Sequence, residues 1–287
     1  MPIPALRFAQ LTALTAAALT LAGSAHAAQV AVTITVQNLA APNSVAVAPL
    51  HYGFNSGVFD AFNIGGVAGA PIISIAEGGS GSAWQPAFAA ADPTATRGTI
   101  GGGPLLPGAT ASQTVMVDSV LNPFFTFAAM VVPSNDFFIG NDSPTRFRVL
   151  NAAGNLLISS ILQKSTDIWD AGSEVFDPAA AAFVGNNSLR TPQNSVVAFN
   201  FAEFAGFNGL TTGAGYVFNS GLTANSDVYR ISFSAVAVPE PQTYALFLAG
   251  GLLVSFIARR RRNKYAEAPK LASPEGGAQG LRAAGRH

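Results

Sequence analysis

Phe124-Phe125-Thr126-Phe127-Ala128-Ala129-Met130-Val131-Val132 is apolar at nearly every position. Successive side chains of a strand point to opposite faces, so a run that is apolar on both faces reads as a central strand covered on each side. Outward from it the chain shows half-buried strands. Val30, Val32, Ile34 and Val36 alternate with Ala31, Thr33 and Thr35, and Tyr229, Ile231, Phe233 and Ala235 alternate with Arg230, Ser232 and Ser234. Further strands are expected over Thr114 to Asp118, Thr145 to Leu150, Leu156 to Leu162 and Ser195 to Phe201, with Gly, Pro and Asn in the gaps, as in Gly101-Gly102-Gly103-Pro104. Several short strands so spaced predict an all-β fold, an antiparallel β-sandwich. Two short helices are predicted within it. One covers Pro71 to Glu77 and stops at Gly78-Gly79; the other follows Asp177-Pro178 through an alanine run, with Asp177 as N-cap.

Hydrophobic residues make up 49% of the chain and charged ones 10%, and there is no cysteine, so disulfides cannot hold the fold. From Ala28 to Val238 six basic residues face twelve acidic ones, a net charge of −6. An acidic domain repels phosphate backbones, which argues against nucleic-acid binding and is compatible with binding a cation.

Both ends carry targeting signals. Residues 1–27 read as a secretory signal peptide: Arg7, an apolar run from Leu11 to Ala22, and Ala25-His26-Ala27 as a small-x-small cleavage site. That leaves residues 28–237 as one sandwich domain, about the size a single all-β domain takes. At the other end, Val238-Pro239-Glu240-Pro241 precedes an apolar stretch, Tyr244 to Ala258, and then Arg259-Arg260-Arg261-Arg262. The prolines halt the last strand, the apolar stretch can enter a bilayer as a transmembrane segment (residues 244–258), and the arginines hold its end on the cytoplasmic side. Residues 238–262 resemble the PEP-CTERM sorting signal of Gram-negative bacteria, which implies export across the inner membrane, transient anchoring through the C-terminus, and an exosortase as partner. Residues 263–287 are polar, with Pro, Gly and Ala, and read as a disordered tail.

Several chemistries are missing from the domain. It keeps only His51, so a histidine-based zinc site is unavailable, and there is no HExxH, GxSxG, Walker or Rossmann pattern. What stands out is acidic: Ser134-Asn135-Asp136-Phe137-Phe138-Ile139-Gly140-Asn141-Asp142 after the central strand, and Trp169-Asp170-Ala171-Gly172-Ser173-Glu174 downstream. Asp170 and Glu174 bracket a Gly-containing turn that can fold both carboxylates toward one point. These acids read either as solvated loop residues or as ligands of a hard cation such as calcium, which takes six to eight oxygens at about 2.3–2.6 Å.

Ser134-Asn135-Asp136-Phe137-Phe138-Ile139-Gly140 resembles the Ser-Pro-Asp-Trp-Phe-x-Gly motif of the spondin N-terminal domain, the F-spondin and mindin domain. Trp169-Asp170-Ala171-Gly172-Ser173-Glu174 resembles that family's Trp-Asp-Ala-Gly-Thr-Asp, and Ala76-Glu77-Gly78 its Ala-Ser-Glu-Gly segment. The resemblance spans Val30 to Ser234 and implies a sandwich related to C2 domains, with Ca2+ held by loops at one end. Carried over motif by motif, the metal ligands are Asp136, Asp170 and Glu174, with Glu in place of the family's last Asp; Asn135 and Phe137 replace its Pro and Trp. Trp169 is expected to pack beneath the site. The function these likenesses imply is a non-enzymatic, calcium-binding module of the cell surface or extracellular matrix, serving adhesion or biofilm, with an unknown surface or matrix ligand. The alternatives are a secreted glycosidase using carboxylates such as Asp136 and Asp170, or a structural envelope protein without a metal.

Overall fold

The computed structural model describes residues 29–238 and 241–266. The chain divides between Val238 and Pro239 into two units. The described residues of the first hold ten strands: β1 (Gln29–Asn38), β2 (Ala46–Val47), β3 (Leu50–Asn55), β4 (Thr96–Ile100), β5 (Thr110–Asp118), β6 (Phe124–Val132), β7 (Phe137–Gly140), β8 (Ser160–Lys164), β9 (Ile168–Asp170) and β10 (Asp227–Ala237). They form two antiparallel sheets. One has the order β5-β1-β10-β8; the other runs β4-β3-β6-β7-β9, with β2 also paired to β6. The fold is an all-β sandwich.

The alternation in β1 sets the first sheet. Val30, Val32, Ile34 and Val36 are fully buried while the residues between them are not. In register, Ile34 lies beside Phe233 of β10 and Val36 beside Ile231. Full burial of each such side chain contributes about 1.5–3 kcal/mol. The sheets meet through aromatic rings: Phe125 of β6 is 5.0 Å from Phe54 of β3 and 5.0 Å from Phe233 of β10, edge-on to each.

The two-sided apolarity of β6 has a direct cause. Phe125, Phe127, Ala129 and Val131 enter the core between the sheets. Ala128 lies under a second cluster with Phe59, Phe62, Trp84 and Phe88, and Met130 and Val132 join a third with Ala46 and Ala48. The second cluster is roofed by two helices, α1 (Ala70–Gly78) and α2 (Trp84–Ala91). Gly53 of β3 lets α2 approach, since a Cβ there would stand 2.4 Å from the Phe88 ring. His51 ties the layers together, with Nδ1 2.9 Å from Thr99 Oγ1 and Nε2 3.1 Å from the Gly79 carbonyl. Burial holds its imidazole below the ordinary histidine pKa, against the pull of that carbonyl.

Several expectations are corrected. The helix predicted after Asp177-Pro178 is only a turn. Asp177 does cap it, accepting from the Ala179 N–H at 2.9 Å, but Ala182 donates to the Ser134 carbonyl and Phe183 takes a φ of 78°, so tertiary pairing overrides the helix propensity of alanine. The segments 145–150 and 195–201 make only isolated bridges, such as Leu150 with Leu156 and Asp170 with Ala198. The strand predicted at Leu156 to Leu162 begins later, at Ser160.

The second unit contains α3 (Pro241–Ala266), which takes in residues 244–258 and continues four residues into the segment read as a disordered tail. Among the described residues no helix is long and apolar enough to cross a membrane. This corrects the transmembrane expectation: an apolar run of that length rises only about 22 Å before the arginines, short of a hydrocarbon core of about 30 Å. The expected signal peptide, and the tail beyond Ala266, lie outside the described residues.

Candidate metal centre

The β7–β9 pairing builds the site. Phe137 lies opposite Asp170, and one step further the Ala171 N–H donates to the Asp136 carbonyl at 3.1 Å, so the loops that follow β6 and β9 run side by side. Ser134 shapes the first loop by accepting from the Phe137 N–H at 2.7 Å. Asn135 then clamps Asp177, donating to its carbonyl and accepting from its N–H, both at 3.2 Å.

Asp136 is 2% exposed. Its Oδ2 accepts from the Ser173 N–H (2.6 Å), the Ser173 hydroxyl (3.1 Å) and the Glu174 N–H (3.0 Å). Asp170 Oδ1 accepts from the Gly172 N–H at 2.7 Å, and its carboxyl group is close enough to Asp136 for the two to influence each other's protonation. Gly172 is required here: φ is 66°, and a Cβ would meet the Val196 carbonyl oxygen at 2.8 Å. Burial, and then the Asp170 charge, pushes the Asp136 pKa up against the pull of its hydrogen bonds; burial likewise raises Asp170.

Glu174, the third expected ligand, faces a different neighbourhood. Its Oε1 is 3.4 Å from Arg190 Nη1, which also lies 3.1 Å from Glu77 Oε2. Its Oε2 is buried and takes no hydrogen bond. Burial, then Glu77, raises its carboxyl to about 7, with Arg190 opposing and Asp136 adding a smaller push.

One acid was not singled out from the sequence. Glu203, in the 3-10 turn Phe201–Phe207, is raised to about 7 by burial, then by Asp170, then by Asp136. Asn200 links it to the pair, donating to Glu203 Oε1 at 2.5 Å and favouring the charged form of Asp170 beside it. No local pattern marks Glu203, which reaches the site across more than thirty residues of chain; an Asn-x-x-Glu at the start of a turn is the only trace. Trp169, on β9, packs half-buried against the second apolar cluster.

Among the described residues no three acid or histidine side chains already stand in a geometry that could hold a metal ion. The donor set nonetheless has the chemistry of a hard-cation site. The buried Asp136 stands beside the half-buried Asp170, Glu203 feels the charge of both, and Glu174 keeps a buried oxygen without a hydrogen bond. Burial is the first cause that raises all four acids, and repulsion adds to it at Asp136, Glu174 and Glu203; a divalent cation would offset both. No protein-family model and no curated protein sequence matches the chain.

Proposed function

We propose that this is an exported, calcium-binding module of the cell surface or matrix, with a spondin-like sandwich and no catalytic activity. The observation that carries the reading is the neighbouring pair Asp136–Asp170, the first buried and the second half-buried, where two loops meet and positive charge is short. Asp136 and Asp170 are the central ligands, with Glu174 and Glu203 as the further acids. Calcium's need for many oxygens suits a rim rich in carboxylates and carbonyls. Export, exosortase sorting and a surface or matrix ligand rest on the resemblances at the two ends and in the loops. In this reading α3, with Leu252, Val254 and Phe256 exposed beside Arg259 and Arg260, is the element the sorting enzyme receives at the membrane.

Calcium that binds only the native state stabilises it by mass action. At a calcium concentration about a hundredfold above Kd, the expected gain is about 2.7 kcal/mol, a rise of several degrees in melting temperature that EDTA reverses. Superimposable melts with millimolar calcium and with EDTA would remove the metal from this reading.

A further inference from the structure

We propose that the cleft between the end of α1 and the 182–187 loop binds an aliphatic ammonium group, either a small amine or a lysine side chain of a partner. The cleft has a volume of ≈ 250 Å³ and is lined by none of the four acids of the candidate metal centre, which it meets only through the Arg190 shared by Glu77 and Glu174, so the inference goes beyond the calcium reading.

Its floor is apolar. Met130 and Val132 of β6 line it together with Ala48 and Phe183. Met130 and Val132 are outward residues of the central strand and belong, with Ala46 and Ala48, to the third apolar cluster. Phe183 is held at its place with a φ of 78°, and its carbonyl accepts from the Gly213 N–H at 2.6 Å.

The polar wall offers acceptors. Asn187 Nδ2 donates to the Glu77 carbonyl at 3.2 Å, which fixes the amide: the flipped orientation would set oxygen against oxygen. Asn187 Oδ1 is thereby left buried with no partner. A buried acceptor without a donor is costly, and an occupant carrying N–H groups would supply one.

Charge selects the donor. Glu77 is among the residues lining the cleft, and the only cation paired with it among the described residues, Arg190, is shared with Glu174, so two carboxylates face one guanidinium. The C-terminal end of α1, at Gly78, adds the negative pole of a helix. An ammonium head beside Asn187 and Glu77, with a few methylenes over Met130 and Val132, satisfies both walls. A carboxylate would be repelled, and a purely apolar ligand would leave Asn187 unpaired.

The chain has three methionines, and Met116 lies on the exposed side of β5, away from the cleft lining. In the full chain with methyl-labelled methionine, n-butylammonium and Nα-acetyl-lysine methylamide are titrated by NMR, with butyrate and 1-butanol as controls. The Met130 methyl is expected to shift saturably with butylammonium while Met116 stays in place, and butyrate at equal concentration should leave both unmoved. Saturation by the lysine amide as well assigns the occupant to a peptide; saturation by butylammonium alone assigns it to a free amine. Asn187→Leu is expected to weaken binding roughly tenfold or more, and Glu77→Gln by a smaller factor. A Met130 signal that ignores both amines, or follows butyrate or butanol as strongly, overturns the proposal without any variant having to fold.

Discussion

Thr33 and Thr114 meet hydroxyl to hydroxyl at 2.7 Å on the bare outer side of the four-stranded sheet, whereas Ala128 and Met130, on the outer side of the six-stranded sheet, are covered. The inner faces of the two sheets are alike, both built from Val, Ile and Phe. The outer faces differ: one is closed by solvent and short polar side chains, the other by two helices and long loops. The amphipathic cleft lies among those loops, whereas Asp170, paired with Phe137 of the inner core, places the aspartate pair at the edge of the six-stranded sheet. Polar chemistry gathers around the six-stranded sheet because its loops shield carboxylates from water, and shielding is the first cause that raises their pKa values.

The strongest way to break this contrast is to remove a group that both sheets use. Phe125→Ala deletes a fully buried ring that touches Phe54 and Phe233, and is expected to cost about 3–5 kcal/mol in denaturant unfolding. A loss below about 1 kcal/mol would mean that the sheets are not joined there. Next in size is Asp136→Ala. It strands the buried N–H groups of Ser173 and Glu174, each costing about 1–3 kcal/mol when unpaired, while relieving the repulsion with Asp170. The net expectation is a loss of about 2–3 kcal/mol in EDTA, together with loss of any calcium response.

How much of this was legible in the sequence follows the same division. β1 and β10 announce themselves because one of their faces meets water, so burial writes a period of two into the sequence. β3 does not: Leu50 to Asn55 is buried at every position and includes Gly53, placed there for a helix that no local rule reveals. α2 is hidden for another reason, since its N-cap is Ala83 with no capping side chain, while Asp177-Pro178 carries the start signal and makes only a turn. At the site, Asp136 and Asp170 are recognisable from their flanking residues. The pairing of Glu174 with Arg190 and the approach of Glu203 are tertiary facts, set by how the 175–207 excursion folds back.

A smaller effect sharpens the contrast through pH. In calcium-free protein Glu174 and Glu203 are held near 7, and Asp136 and Asp170 are also raised; Glu77 adds to the crowding and Arg190 opposes it. A raised carboxyl pKa means that the folded state holds the proton more tightly than the unfolded state does. The contribution to stability is then fully present below about pH 4.5, the unfolded value, and is lost as pH rises through about 7. Melting temperature in EDTA is therefore expected to fall between pH 5 and pH 8. Glu203→Gln should flatten part of that slope, and saturating calcium should remove most of it. A melting temperature that rises across the same window in EDTA would contradict the raised values.

The smallest expected effect lies on the bare face. Thr33→Val removes one partner of the Thr33–Thr114 contact at an exposed position, gains β-branched contact area, and leaves no buried group unpaired. Its cost should stay within about 0.5 kcal/mol, with no change in the response to calcium or to pH. Because Thr33 shares β1 with the buried Val32 and Ile34, the result separates the two faces of a single strand: Ile34→Val, one residue away, is expected to cost about 0.5–1.5 kcal/mol. Equal losses at the two positions would mean that the outer face is covered in the folded protein, and the contrast between the sheets would then rest on the loops alone.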